Sequence, residues 1–205
     1  MTISELMKKS PKKLHIGQFT LQDLAIFFAE YHNRRMRITF GSDYIDLVFR
    51  NEQLPHIVGL QYAYKDMKNA SDYSGVEGYK KMLSGYFSYK VIQARIRKRN
   101  LNDKSGKRKI TWQDVEQRIT YLPYFMIQLE KGNTRLVSFD KNNVLFDTAF
   151  GGDYLIFKFD NKKYLNMSIK KVGKHFEIES FFVNETIMYL GNQIEHEVSS
   201  INWIS

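Results

Sequence analysis

Apolar side chains recur at every second position through residues 153 to 183, DYLIFKFDNKKYLNMSIKKVGKHFEIESFFV. Leu155, Phe157 and Phe159, then Leu165, Met167 and Ile169, then Phe176 and Ile178 repeat with the period of strands that bury one face. Asn161-Lys162-Lys163 and Lys171-Val172-Gly173-Lys174 are polar connections of hairpin length, so the stretch predicts a three-stranded antiparallel meander. Matching apolar rows sets Phe157 opposite Met167, Phe159 opposite Leu165, Ile169 opposite Phe176 and Met167 opposite Ile178. The other face then carries a polar platform. One row of it holds Lys158, Asn166 and Glu179, the next Ile156, Ser168 and Glu177, and Lys170 faces His175.

Upstream the period lengthens. Thr20 with Asp23 caps a helix whose stripe is Leu21, Leu24, Ala25 and Phe28, ending near His32-Asn33. Met36, Ile38 and Phe40 alternate, Gly41-Ser42-Asp43 turns the chain, and Tyr44 to Phe49 completes a hairpin. Pro55 biases Leu54 toward an extended conformation, so the chain is expected to change direction just before His56. Gly75 to Ser84 and Tyr86 to Arg99 read as helices. Thr111 to Lys131 is the longest helical pattern, opened by a Thr111/Asp114 capping signature, with a kink or break expected at Pro123. Arg135 to Asp140 reads as a strand, and Thr186 to Ile204 as either an amphipathic helix or a last edge strand. The class is α+β: N-terminal and central helices packed on one face of an antiparallel sheet that ends in the meander.

Composition narrows the chemistry. The 205 residues suit one domain, and the absence of cysteine excludes disulfides and thiolate metal sites. There is no apolar run of about 18 residues. The charged start MTISELMKKSPKK lacks a signal core, which leads to the expectation of a cytoplasmic protein without a membrane partner. The formal charge of +9 and an aromatic content of 15% suit a polyanion whose bases can stack. That surplus is concentrated between Lys90 and Lys109, where Lys90, Arg95, Arg97, Lys98, Arg99, Lys104, Lys107, Arg108 and Lys109 face Asp103 alone. This block is the candidate nucleic-acid contact. Phosphate-cradling glycine loops and a GxSxG nucleophile are absent, the five histidines are scattered, and no metal or cofactor is expected.

The segments LPHIVGLQ (54 to 61), GVEGYKKML (75 to 83), DYLIFKF (153 to 159) and HFEIESFFV (175 to 183) carry a family resemblance. Residues 35 to 195 resemble the phage- and mobile-element-associated branch of the barnase, EndoU, colicin and RelE-like ribonuclease superfamily. Residues 1 to 34 then form a helical extension to a single domain spanning 1 to 205. The resemblance implies a toxin that cleaves RNA without metal, through attack of a 2′-hydroxyl on the adjacent phosphorus. By position it makes His56 the general acid/base, Lys158 the cation that stabilises the phosphorane and Glu179 a partner in proton transfer, with Ser180 beside it. Its partners would be RNA or another nucleic acid or nucleoprotein, and a cognate inhibitor protein. The alternative is a non-catalytic phage or mobile-element protein that inhibits a host nucleoprotein complex through its basic surface.

Overall fold

A computed structural model describes residues 2–104, 109–144 and 151–204. The chain forms two compact units, one made of the residues up to Tyr31 and Asn51–Tyr124, the other of His32–Arg50 and the residues from Phe125 onward. Among the described residues, seven α-helices accompany one eight-stranded, mostly antiparallel sheet, which is the expected α+β class.

The first unit is helical. Helix α1 (Ile3–Lys9) is capped by Thr2, and α2 (Leu21–Ala29) by Thr20, whose backbone N–H donates to Asp23 Oδ2 at 2.7 Å. α2 buries Leu21, Leu24, Ala25, Phe27 and Phe28. Leu54 is not extended: it opens the short helix α3 (Leu54–Ile57). Pro55 stands in the first turn of α3, where its missing N–H leaves no intrahelical bond unmade. After α4 (Gln61–Tyr64), α5 (Gly75–Leu83) packs on α2, with the Tyr79 hydroxyl donating to the Ala25 carbonyl at 3.0 Å. Gly78 lets α5 lie close to the turn that precedes it, because a Cβ there would lie 2.6 Å from the carbonyl carbon of Tyr73. α6 (Tyr89–Asn102) begins at a Ser88 cap. α7 (Trp112–Glu130) runs on through Pro123, so of the kink or break expected there the break into two helices does not occur. The Thr120 carbonyl, one turn before the proline, accepts the Leu14 N–H at 3.2 Å.

The second unit holds the sheet. Its strands are β1 (Arg35–Phe40), β2 (Asp43–Val48), β3 (Arg135–Ser138), β4 (Tyr154–Asp160), β5 (Lys163–Val172), β6 (His175–Asn184), β7 (Ile194–His196) and β8 (Val198–Ile204), in the order β7-β3-β4-β5-β6-β2-β1-β8. The ambiguous last segment is therefore strand. β7 and β8 lie at opposite edges of the sheet yet are separated in sequence by Glu197 alone, so the sheet curls until it is nearly a barrel. The inner face carries Ile156, Met167 and Phe181, with Phe125 of α7 5.3 Å from the Phe181 ring. On the outer face Val137, Phe139, Leu155, Phe157 and Phe182 form a second cluster under Tyr189 and Leu190.

The meander is present, but its expected register is not. Asp160 pairs with Lys163 around a two-residue turn in which Asn161 and Lys162 have φ of 47° and 63°. That shorter turn sets Phe157 opposite Asn166 and Lys158 opposite Leu165, one residue away from the expected pairing. Val172 likewise pairs with His175 around Gly173-Lys174, and a bulge at Glu179 shifts the ladder, so Ile169 faces Ile178 while Ser168 faces Ser180. Apolar matching misled because Leu155, Ile156 and Phe157 are all buried, and β4 thus has no polar face to count from.

Across the β1–β2 hairpin, Arg37 donates to both oxygens of Asp46, at 2.7 and 2.9 Å, and lies 4.0 Å over the Tyr44 ring. The Arg37 hydrogen bond holds the Asp46 carboxyl below its ordinary 3.8, against an opposing push from burial. A carboxyl depressed in the fold contributes stability that is complete above its unfolded pKa and is lost as pH falls through its folded value. Asp46→Asn is therefore expected to unfold more readily at neutral pH and to lose less stability than the parent below about pH 4, read from urea midpoints across an acid pH series.

Candidate functional site

On the outer face of β5 and β6 lie Asn166, Ser168 and Lys170, with His175, Glu177, Glu179 and Ser180 beside them. Strand alternation places them there, and the bulge turns Glu179 to the same side as Ser180. Ser168 Oγ donates to Glu179 Oε2 at 2.8 Å, and the Gly151 N–H donates to Oε1 at 3.0 Å. Gly152 fits tightly against this pair. A Cβ on it would come within 2.1 Å of Ser168 Oγ and 2.9 Å of the Ile169 carbonyl oxygen.

The parallel pairing of β2 with β6, Val48 beside Glu177, then brings Arg50 into reach. Glu177 Oε1 lies 3.0 Å from His175 Nε2 and 3.5 Å from Arg50 Nε, and the Arg50 guanidinium also bonds the Asn33 side chain. The side chains of Arg50, Glu177 and His175 are 33%, 22% and 24% exposed, so all three are held in place yet reachable from solvent. A carboxylate between an imidazole and a guanidinium can accept a proton, supply one through the imidazole and hold an anion on the arginine. Among the described residues no three His, Asp or Glu side chains gather as a metal ion would require.

The residues expected from sequence are spread over both units. His56 is exposed on α3, in the helical unit. Lys158, half-buried opposite Leu165, shares the inner face with Ile156 and Met167, whereas Glu179 occupies the outer one. The expected Lys158–Asn166–Glu179 row is thus corrected: the two charged members lie on opposite faces of the sheet. In the basic block, Arg95 stacks 4.8 Å over the Tyr64 ring and Arg99 donates to the Tyr62 carbonyl at 3.0 Å. Burial pushes the Tyr64 hydroxyl up to about 12, so it stays neutral beneath Arg95. Lys90, Arg97, Lys98, Lys104 and Lys109 are exposed, and Lys109 bonds the Asn100 carbonyl at 2.6 Å. Lys107 and Arg108 lie outside the described residues. Sequence reasoning set His175 and Glu177 on the platform without assigning them work, though a His-x-Glu spacing on a strand puts both on one face. Arg50 carried no signal.

The helical unit thus carries the basic helix α6, and the curled sheet carries the His175–Glu177–Arg50 cluster. The chain belongs to the phage-Barnase-EndoU-ColicinE5/D-RelE like nuclease4 family, whose model matches residues 20–203. Its substrate class is accordingly nucleic acid. No curated protein and no solved structure matches the chain. No helix among the described residues is long and apolar enough to cross a membrane.

Gly152→Ala should destabilise the protein by about 1–3 kcal/mol through overpacking against Ser168. Gly151→Ala, whose Cβ would meet nothing within 4 Å, should leave the urea midpoint nearly unchanged.

Proposed function

We propose that this chain is a metal-independent endoribonuclease with toxin-like action, and that His175, Glu177 and Arg50 carry its chemistry. The observation behind this reading is Glu177 Oε1 held between His175 Nε2 and Arg50 Nε on a solvent-reachable sheet face. Glu177 takes the proton of a 2′-hydroxyl and the freed oxygen attacks the adjacent phosphorus. Arg50 compensates the extra negative charge on the phosphoryl oxygens. The bond to the 5′-oxygen breaks, protonated His175 supplies that oxygen with a proton, and a 2′,3′-cyclic phosphate is left. Proton transfer by a positioned side chain contributes about 10²–10⁴-fold, so a loss of that size is the signature to seek. In the helical unit, Arg97, Lys98 and Lys104 hold the RNA backbone as exposed cations, while Arg95 and Arg99 fasten α6 to its neighbours.

His175→Ala and Glu177→Gln are each expected to lower single-turnover cleavage of a defined RNA by roughly 10²-fold or more. Cleavage should persist in EDTA, leave cyclic phosphate ends and spare an oligonucleotide with deoxyribose at the scissile position. Full activity in His175→Ala, together with its loss in His56→Ala and Lys158→Ala, would move the chemistry to the residues indicated by the sequence resemblance. Activity that EDTA abolishes would sink the metal-independent mechanism.

Replacing Arg97 and Lys98 by Gln should weaken single-stranded RNA binding and lower the slope of log K against log salt by about 0.7 for each phosphate contact removed. Filter binding across a salt series measures it. An unchanged slope would remove α6 from the interface.

A further inference from the structure

The surface of the sheet unit carries an open cavity of about 500 Å³ lined by the exposed Asn33, Arg34 and Arg35 and the half-buried Trp203 and Ile204. Its volume is in the range that takes a small organic ligand. Among the described residues two guanidinium groups and no carboxylate line it. Arg34 lies 3.8 Å over the Trp203 ring, and the buried Phe49 ring lies 5.7 Å from it between ring centres. Asn33, held in the left-handed region with φ 59°, bonds the Phe49 carbonyl through its N–H at 2.9 Å and accepts from Arg50 through its side chain. The same Arg50 bonds Glu177, so a short run of side chains links this cavity to the His175–Glu177–Arg50 cluster.

We infer that this cavity is a nucleotide subsite for single-stranded RNA, which stacks a base on the Arg34–Trp203 pair and pairs a neighbouring phosphate with Arg35. The inference rests on the ribonuclease reading and deepens it. An indole covered by a guanidinium offers a flat cationic surface, and unpaired bases stack on both kinds of plane. A bare anion would use the arginines and leave the ring without purpose. Asn33 ties the subsite to Arg50, so a base seated here presents its own phosphate linkage close to the reacting groups.

The chain has two tryptophans, so Trp112→Phe leaves Trp203 as its only indole and makes fluorescence a local probe. Titration with a short 2′-O-methyl oligoribonucleotide, which cannot be cut, should quench Trp203 saturably. An abasic oligonucleotide of equal charge and inorganic phosphate should leave it unquenched. Arg34→Gln with Arg35→Gln should weaken binding of the base-bearing oligonucleotide by at least about fivefold. On the parent chain, anisotropy of a labelled oligonucleotide should give the same loss, which covers the case in which Trp112→Phe does not fold. Equal quenching by the abasic strand or by phosphate, no quenching, or unchanged affinity in the double variant would each overturn the subsite. Binding is scored without cleavage, so the two readings fail separately. A chain that binds this way but never cuts loses the mechanism and keeps the subsite, and one that cuts with unchanged KM in the double variant loses the subsite alone.

Discussion

Two tight turns and one bulge decide which side chains of this protein can act together. Asn161-Lys162 and Gly173-Lys174 close their hairpins in two residues each, and the extra residue Glu179 shifts the ladder between them and the sheet's far end. A strand's side chains alternate strictly, so a change of one residue in a turn carries every side chain of a strand to the other face. Lys158 goes to the interior side by this rule, while His175, Glu177 and Glu179 stay together outside. No individual contact in the sheet has comparable reach, because each of the others presupposes the register.

Around that register the sheet is buried on both faces for much of its length. Phe125 and Phe181 pack within, and Phe157, Phe182 and Tyr189 pack outside. The polar strip of β5 and β6 interrupts the outer layer. Its two glutamates are paired: Ser168 and Gly151 occupy the oxygens of Glu179, while His175 and Arg50 share an oxygen of Glu177. A partly buried strip of this kind is held in place by its hydrogen bonds and remains reachable from solvent. Family membership makes nucleic acid the substrate class, and the strip supplies groups of the kind that phosphodiester transfer requires.

The basic helix shows how composition and placement part company. Counted as charges, Arg95 and Arg97 are equivalent. In the fold, Arg95 lies on Tyr64 and beside Met67 Sδ at 3.0 Å, where its stem and plane contribute packing, and Arg97 stands in solvent. Helical periodicity separates them, since residues four apart, such as Arg95 and Arg99, share the inward face.

By itself the sequence determined the fold class, the caps at Thr20 and Thr111, the β1–β2 hairpin, the three meander strands and the face on which His175, Glu177 and Glu179 lie. Each of these follows from periodicity or from a residue's local preferences, which act over a few positions along the chain. Pro123 and Leu54 show the limit of that reasoning, because packing kept α7 continuous and α3 helical against the local expectation. The register of β4, the strand character of the last segment, the parallel meeting of β2 with β6 and the arrival of Arg50 at Glu177 were decided by tertiary structure. Arg50 and Glu177 are 127 residues apart in sequence, and no periodicity acts over such a distance. Only the parallel pairing of β2 with β6 brings them together.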